Sequence, residues 1–106
     1  MFFELRQYQA HPGKRDDLVA LMEGEIIPFQ ISQGMTIVGS FVGEEDPNLY
    51  VWIRRFASEE EREALYSTVY QSDRWTKDIG PKIPELMDRD KIVVTRLNAT
   101  AISALH

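Results

Sequence analysis

NLYVWIRRFASEEEREALYSTVYQSDRW, running from Asn48 to Trp75, holds two periodicities on either side of one short break. Up to Phe56, Leu49, Val51 and Ile53 alternate with Tyr50, Trp52 and Arg54, the period of two that belongs to a β-strand. After Ala57-Ser58 the pattern changes to that of a helix. Ser58 followed by Glu61 forms a capping box, and Glu59, Glu60 and Glu61 place negative charge at the positive helix end. Leu65, Tyr66, Val69 and Tyr70 follow along that helix. Ser72 and Asp73 are available to cap a second, short piece through Asp78, so the helix is expected to be split. The strand is bulky on both of its faces and ends in Arg54 and Arg55. A sheet covered on one side only has no use for such a strand.

The remaining elements extend outward from this pair. Phe2 to Gln9 alternates and carries aromatics, which predicts a first strand stopped by His11-Pro12-Gly13. From Lys14 to about Gln33, Leu18, Leu21, Met22, Glu25 and Phe29 fall on one helical face, with Val19 and Ile26 at its flank. Pro28 has no amide donor and predicts a kink or break near Glu25. Gly34 is placed as the helix C-cap. Met35 to Val42 reads as a second strand, Gly43 to Pro47 as a hairpin loop, and Ile92 to Leu97 as the last strand, after Gly80, Pro81 and Pro84 break the chain.

The order βαββαβ is the ferredoxin-like arrangement, an α+β fold with a four-stranded antiparallel sheet and both helices on one face. Within the strands both alternating sets are apolar. Met35, Ile37 and Phe41 oppose Val38 and Val42, and Leu49, Val51 and Ile53 oppose Tyr50, Trp52 and Phe56. Helices cover one face, and water on the other would leave a patch larger than soluble monomers usually expose. A second copy, sheet against sheet, is the simplest cover, so a symmetric homodimer is expected.

Composition narrows the function classes. The 106 residues, 43% hydrophobic and 27% charged, suit one domain spanning 1–106. Seventeen acidic against twelve basic residues give a net charge of -5, which argues against nucleic acid because phosphate binding needs a basic face. No apolar run approaches the ~20 residues of a membrane span, and MFFELRQY lacks the charge and length of a signal peptide; a cytoplasmic location is the expectation. Without cysteine there is no disulfide, thiolate zinc site or cysteine nucleophile. His11 and His106 are too far apart in sequence for a metal or haem pair, and Gly34, Gly39 and Gly43 form no phosphate loop. No metal or cofactor is expected.

What remains for chemistry is polar and aromatic. Glu4, Arg6 and Tyr8 share one face of the first strand, while Tyr50, Trp52 and Arg54 share one face of the third. Those strands are the central neighbours of a ferredoxin-like sheet, so the six side chains can converge. Buried carboxylate and guanidinium groups must be paired, which predicts a network of Glu4 with Arg6 or Arg54. It serves either as an ion pair that specifies the dimer or as the polar end of an aromatic-lined pocket. In the pocket reading, Arg54 holds an acidic or carbonyl group and Tyr8 donates a hydrogen bond. Arg62, in the first turn of its helix, opposes the helix dipole; it either pairs with Glu59 or another acid, or lines the same cleft. Trp75 reads as a lid or core aromatic, with a stacking platform as the other role.

FELRQYQAHPGK near the start, IVGSF in the second strand, NLYVWIRRFAS followed by EEER, and SDRW together resemble the NIPSNAP family, over about Phe2 to Pro84. The resemblance implies a dimeric α/β barrel built of ferredoxin-like halves, in a single-domain form of the bacterial kind, and it matches Arg62 to an arginine that the family carries after the third strand. Similar barrels include cofactor-free monooxygenases, haem-degrading oxygenases, muconolactone isomerases and structural stress proteins, so architecture alone fixes no reaction. Two functions follow as expectations. One is the binding of a small aromatic or acidic molecule in a cleft between sheet and helices, with cofactor-free oxygenation or isomerisation as its catalytic form. The other is a non-catalytic homodimeric scaffold or interaction protein.

Overall fold

A computed structural model describes residues 1–106. Its strands are β1 (Phe2–Gln9), β2 (Thr36–Val42), β3 (Leu49–Phe56) and β4 (Val93–Leu97). They form one antiparallel sheet in the order β2-β3-β1-β4. Helices α1 (Arg15–Leu21) and α2 (Ile27–Ser32) lie between β1 and β2, and α3 (Glu59–Tyr70) follows β3. The ferredoxin-like α+β expectation holds, including the split after α3. The chain there continues as a wide π-type helical segment, Arg74–Ile79, and a 3-10 segment, Gly80–Glu85.

Alternation along β3 sorts the two faces of the sheet. Tyr50, Trp52, Arg54 and Phe56 are buried beneath the helices, while Leu49, Val51, Ile53 and Arg55 are half-buried on the opposite face. Ser58 Oγ accepts a hydrogen bond from the Glu61 amide at 3.1 Å, which starts α3 where the capping box predicted. Gly34 ends α2 with φ +105°, a conformation that a side chain resists.

The predicted kink before Pro28 takes the form of a π-type turn, Met22–Ile26, joining α1 to α2. This turn changes which residues face the sheet. A regular helix of 3.6 residues per turn would bring Glu25 and Phe29 inward with Leu18, Leu21 and Met22. The wider turn keeps Leu18, Met22, Ile26 and Gln30 on the buried stripe. Glu25 is displaced outward, where its carboxylate meets Lys82 at 2.8 Å and Arg74 at 3.3 Å. The placement of Glu25 on the inner face is therefore corrected, and Gln30 takes the position that the regular period withheld from it.

The outer face is covered only at one corner. The C-terminal segment from Asn98 to Leu105 folds back beside Phe3, Ile53 and Leu97, leaving Phe3 5% exposed. Elsewhere on that face Phe41 and Val93 remain 52% exposed.

Candidate functional site

The pairing of β1 with β3 sets Glu4 opposite Arg54, Arg6 opposite Trp52 and Tyr8 opposite Tyr50. All six predicted side chains therefore lie beneath the helices, and all but Tyr50 separate into two connected parts. The first is an ion-pair network. Glu4 and Arg54, each with no more than 1% of its side chain exposed, form a direct salt bridge. Glu4 also accepts from the Tyr66 hydroxyl at 2.7 Å, from Arg6 Nη1 at 3.2 Å and from Arg62 Nε at 3.2 Å. Arg54 Nη1 donates to Gln30 Oε1 at 3.0 Å and to the Tyr70 hydroxyl at 2.8 Å. Its guanidinium also lies 4.8 Å from the centre of the Trp52 ring and 4.9 Å from that of Tyr66, within cation–π range.

One carboxylate thus sits among three guanidiniums. Burial alone would raise the Glu4 pKa; the Arg54 charge and the hydrogen bonds from Arg54 and Tyr66 outweigh it and hold the carboxyl at about 2. Burial pushes the Tyr66 hydroxyl up to about 12, so it is protonated at neutral pH and donates to Glu4. Arg62 fulfils both of its ion-pair expectations, meeting Glu59 at 3.0 Å as well as Glu4.

The second part is a cavity of about 230 Å³ between the sheet and the helical segments. Its walls are mainly apolar, with Leu18, Met22, Ile26, Ile83, Met87 and Ile92 among them. The polar and aromatic lining comes from Arg6, Tyr8, Trp52, Tyr70, Trp75 and Arg89. Both π-type segments reach it, through Met22 and Ile26 on one side and Trp75 on the other. Trp75 is half-buried and packs edge-on against Tyr70, with ring centres 4.7 Å apart.

Of the predicted site residues, Arg6, Tyr8, Trp52 and Trp75 line the cavity, and Glu4, Tyr50, Arg54 and Arg62 do not. Arg54 is enclosed by Glu4, Gln30, Tyr66 and Tyr70, each of them hydrogen-bonded to its guanidinium. The Tyr50 hydroxyl is engaged by Ser40 Oγ at 2.6 Å, toward the β2 edge. Arg6 joins the two parts: Nη1 binds Glu4, and Nε donates to the Tyr8 hydroxyl at 3.0 Å. His11 lies apart, its Nε2 2.9 Å from the Pro84 carbonyl oxygen, and ties the loop after β1 to the segment before β4.

Gln30, Tyr66, Tyr70 and Arg89 complete the two parts and were not among the predicted residues. The spacing of Tyr66 and Tyr70, four apart on one helix, was a visible signal, since such residues share a face. Nothing local marks Gln30, whose inward position depends on the π-type turn, or Arg89, whose Nη2 bonds the Gly80 carbonyl at 2.9 Å.

The sequence profile of the NIPSNAP family matches residues 3–101, beyond Pro84 and through the last strand. No curated protein matches the sequence significantly. Among solved structures, a NIPSNAP family protein of unknown function from Agrobacterium tumefaciens is similar at 28% identity and a TM-score of 0.89, over 100% of this chain and 94% of that one. A second NIPSNAP family protein from the same organism has 23% identity and a TM-score of 0.86, over 99% and 98% of the two chains. An uncharacterized NIPSNAP domain protein from Burkholderia xenovorans has 17% identity and a TM-score of 0.83, over 97% and 98%. The likeness in fold and the profile match across nearly the whole sequence agree: this chain belongs to the NIPSNAP family.

Proposed function

We propose that this NIPSNAP protein binds a small aromatic or acidic molecule in the cavity between sheet and helices. The observation that carries the reading is a cavity of about 230 Å³ that retains Arg6 and Tyr8 on an otherwise mainly apolar wall. A core optimised only for stability would fill such a space, since each unfilled volume forfeits packing energy. An apolar chamber with a few polar groups has the general form of a small-molecule site. The catalytic form of the function is cofactor-free oxygenation or isomerisation, in which the donors would hold a developing oxyanion. Isomerisation also needs a base, and no carboxylate, histidine or thiol lines this cavity. Binding therefore stands as the function, and catalysis as its extension.

Ligand-observed NMR with a library of single-ring acids, amides and hydrocarbons tests the proposal. Weak binders are expected, and Ile83→Phe, which fills the cavity from its wall, is expected to abolish their binding while the protein stays folded. Equal binding by this variant, or no binder in the library, would remove the cavity as the site.

A second reading, the non-catalytic homodimeric scaffold, is supported by the outer face, where Phe41, Val93 and Leu97 are exposed beside half-buried Leu5 and Val51. Pairing of two copies through that face is compatible with a ligand in each cavity, because the cavity lies on the other side of the sheet. No helix is long and apolar enough to cross a membrane, and a cytoplasmic location is part of this proposal.

A further inference from the structure

The cavity's polar wall has a consistent hydrogen-bonding sense. Trp52 is 1% exposed, yet its Nε1 has no hydrogen-bond acceptor. It lies near enough to the Tyr8 hydroxyl to oppose the rise that burial gives that group's pKa, but makes no full hydrogen bond to it. An indole N–H can only donate, and a buried donor without a partner is an uncommon and costly feature. Tyr8 accepts from Arg6 Nε and is left with its own proton. Tyr70 accepts from both Arg54 Nη1 and Gln30 Nε2, which fills its two lone pairs and leaves it able only to donate. Arg6 binds protein acceptors through Nε and Nη1, and its Nη2 has none within the chain.

Four side chains that carry donors thus line one cavity, and its lining includes no Asp, Glu, Asn, Gln or His to oppose them. The adjacent carboxylate, Glu4, is already shared among Arg54, Arg6, Arg62 and Tyr66. Two guanidiniums, Arg6 and Arg89, border the cavity with no carboxylate on its wall. A cationic ligand would meet like charge there, and a hydrocarbon would leave the Trp52 donor unsatisfied.

We infer that the cavity takes a compact organic carboxylate, its acid group accepting from Arg6, Tyr8, Trp52 and Tyr70 and its apolar body lying among Met22, Ile26 and Ile83. The inference rests on the cavity being a ligand site, as proposed above. Size restricts the class further. A dry cavity of about 150 Å³ holds benzene, so a space of about 230 Å³ suits roughly nine or ten non-hydrogen atoms. That range corresponds to a monocyclic aromatic acid, or a short-chain acid of the same volume.

Four probes of nearly one shape separate the possibilities: benzoate, benzamide, benzylamine and toluene, each titrated into the full chain at neutral pH by NMR or calorimetry. Benzoate is expected to bind about tenfold or more tightly than each of the others, as charge-assisted bonds exceed neutral ones. Trp52→Phe, which keeps a ring but removes the N–H, is expected to weaken benzoate several-fold and leave toluene unchanged. Tyr8→Phe provides the same comparison if the first variant is poorly folded. Toluene or benzylamine binding as tightly as benzoate would overturn the inference and leave the cavity as a site for another ligand. Absence of binding by all four to protein that melts cooperatively would remove the cavity reading itself, and the carboxylate inference with it.

Discussion

Glu4 has three arginine neighbours, Arg6, Arg54 and Arg62, so the two halves of the buried pair are not equivalent. Removing the carboxylate charge by Glu4→Gln leaves three guanidiniums facing one another, and a loss of roughly 3 to 5 kcal/mol is expected. Arg54→Met leaves Glu4 with Arg6, Arg62 and Tyr66, so its cost should be smaller. The double variant should be more stable than the sum of the single losses predicts, because the partners are in direct contact. Thermal and denaturant melts of the three variants check the order. The same carboxylate sets a pH dependence. Its pKa falls from 4.5 to about 2 on folding, and a group with a lowered folded pKa stabilises fully above the unfolded value. At about 1.4 kcal/mol per pH unit this is on the order of 3 kcal/mol at neutral pH, lost progressively as pH falls from about 4.5 toward 2. In Glu4→Gln the loss across that window should be much reduced. A wild-type curve that is flat between pH 5 and 2 would contradict the charged, fully paired state of Glu4.

The elements succeed or fail by local backbone chemistry. Gly34 ends α2 at φ +105°, and a methyl group there would meet Leu65 Cδ2 at 3.4 Å, an approach that is tight but not prohibitive. The cost of Gly34→Ala should therefore come mainly from the left-handed backbone, about 1 kcal/mol, and appear as a melting-temperature drop of several degrees. An unchanged melt would show that this φ is not required. The π-type turn at Met22–Ile26 has a different status. Pro28 signals irregularity, since it cannot donate to the carbonyl one turn back. What form that irregularity takes depends on the packing of Leu18, Met22, Ile26 and Gln30 beneath it. The turn brings both a cavity wall and the Arg54 acceptor into place, consistent with the tendency of π-bulges to occur at functional sites.

At the scale of the molecule, the two sheet faces differ in character. The inner face carries the network and the cavity, and the outer face remains apolar beyond the corner covered by the C-terminal segment. Light scattering at micromolar concentration is expected to give twice the chain mass of 12.3 kDa. Val51→Lys, on β3 beside Phe41, should place a charge in that interface and shift the protein toward monomer. A wild-type monomer that is stably folded would exclude the paired-sheet assembly. Benzoate binding retained by a monomeric Val51→Lys variant would establish that each cavity works without the second copy.

Much of this protein was legible in its sequence because the deciding signals are local. Alternation through Tyr50, Trp52 and Arg54, the Ser58–Glu61 cap and Gly34 each specify backbone geometry within a few residues, and the order βαββαβ then determines that β1 and β3 are central neighbours. The meeting of Glu4, Arg6 and Tyr8 with Tyr50, Trp52 and Arg54 follows from that order and the period of two. The division of these residues between a closed network, an open cavity and, for Tyr50, the β2 edge was decided only by tertiary structure. It depends on which helix side chains reach each one: Gln30, Tyr66 and Tyr70 surround Arg54, whereas Met22, Ile26 and Trp75 line a cavity together with Arg6, Tyr8 and Trp52. Helix periodicity of 3.6 residues could not place Gln30, because the wide turn before it breaks that period. Sequence determines which groups share a face; only the packed fold determines how much space is left between them.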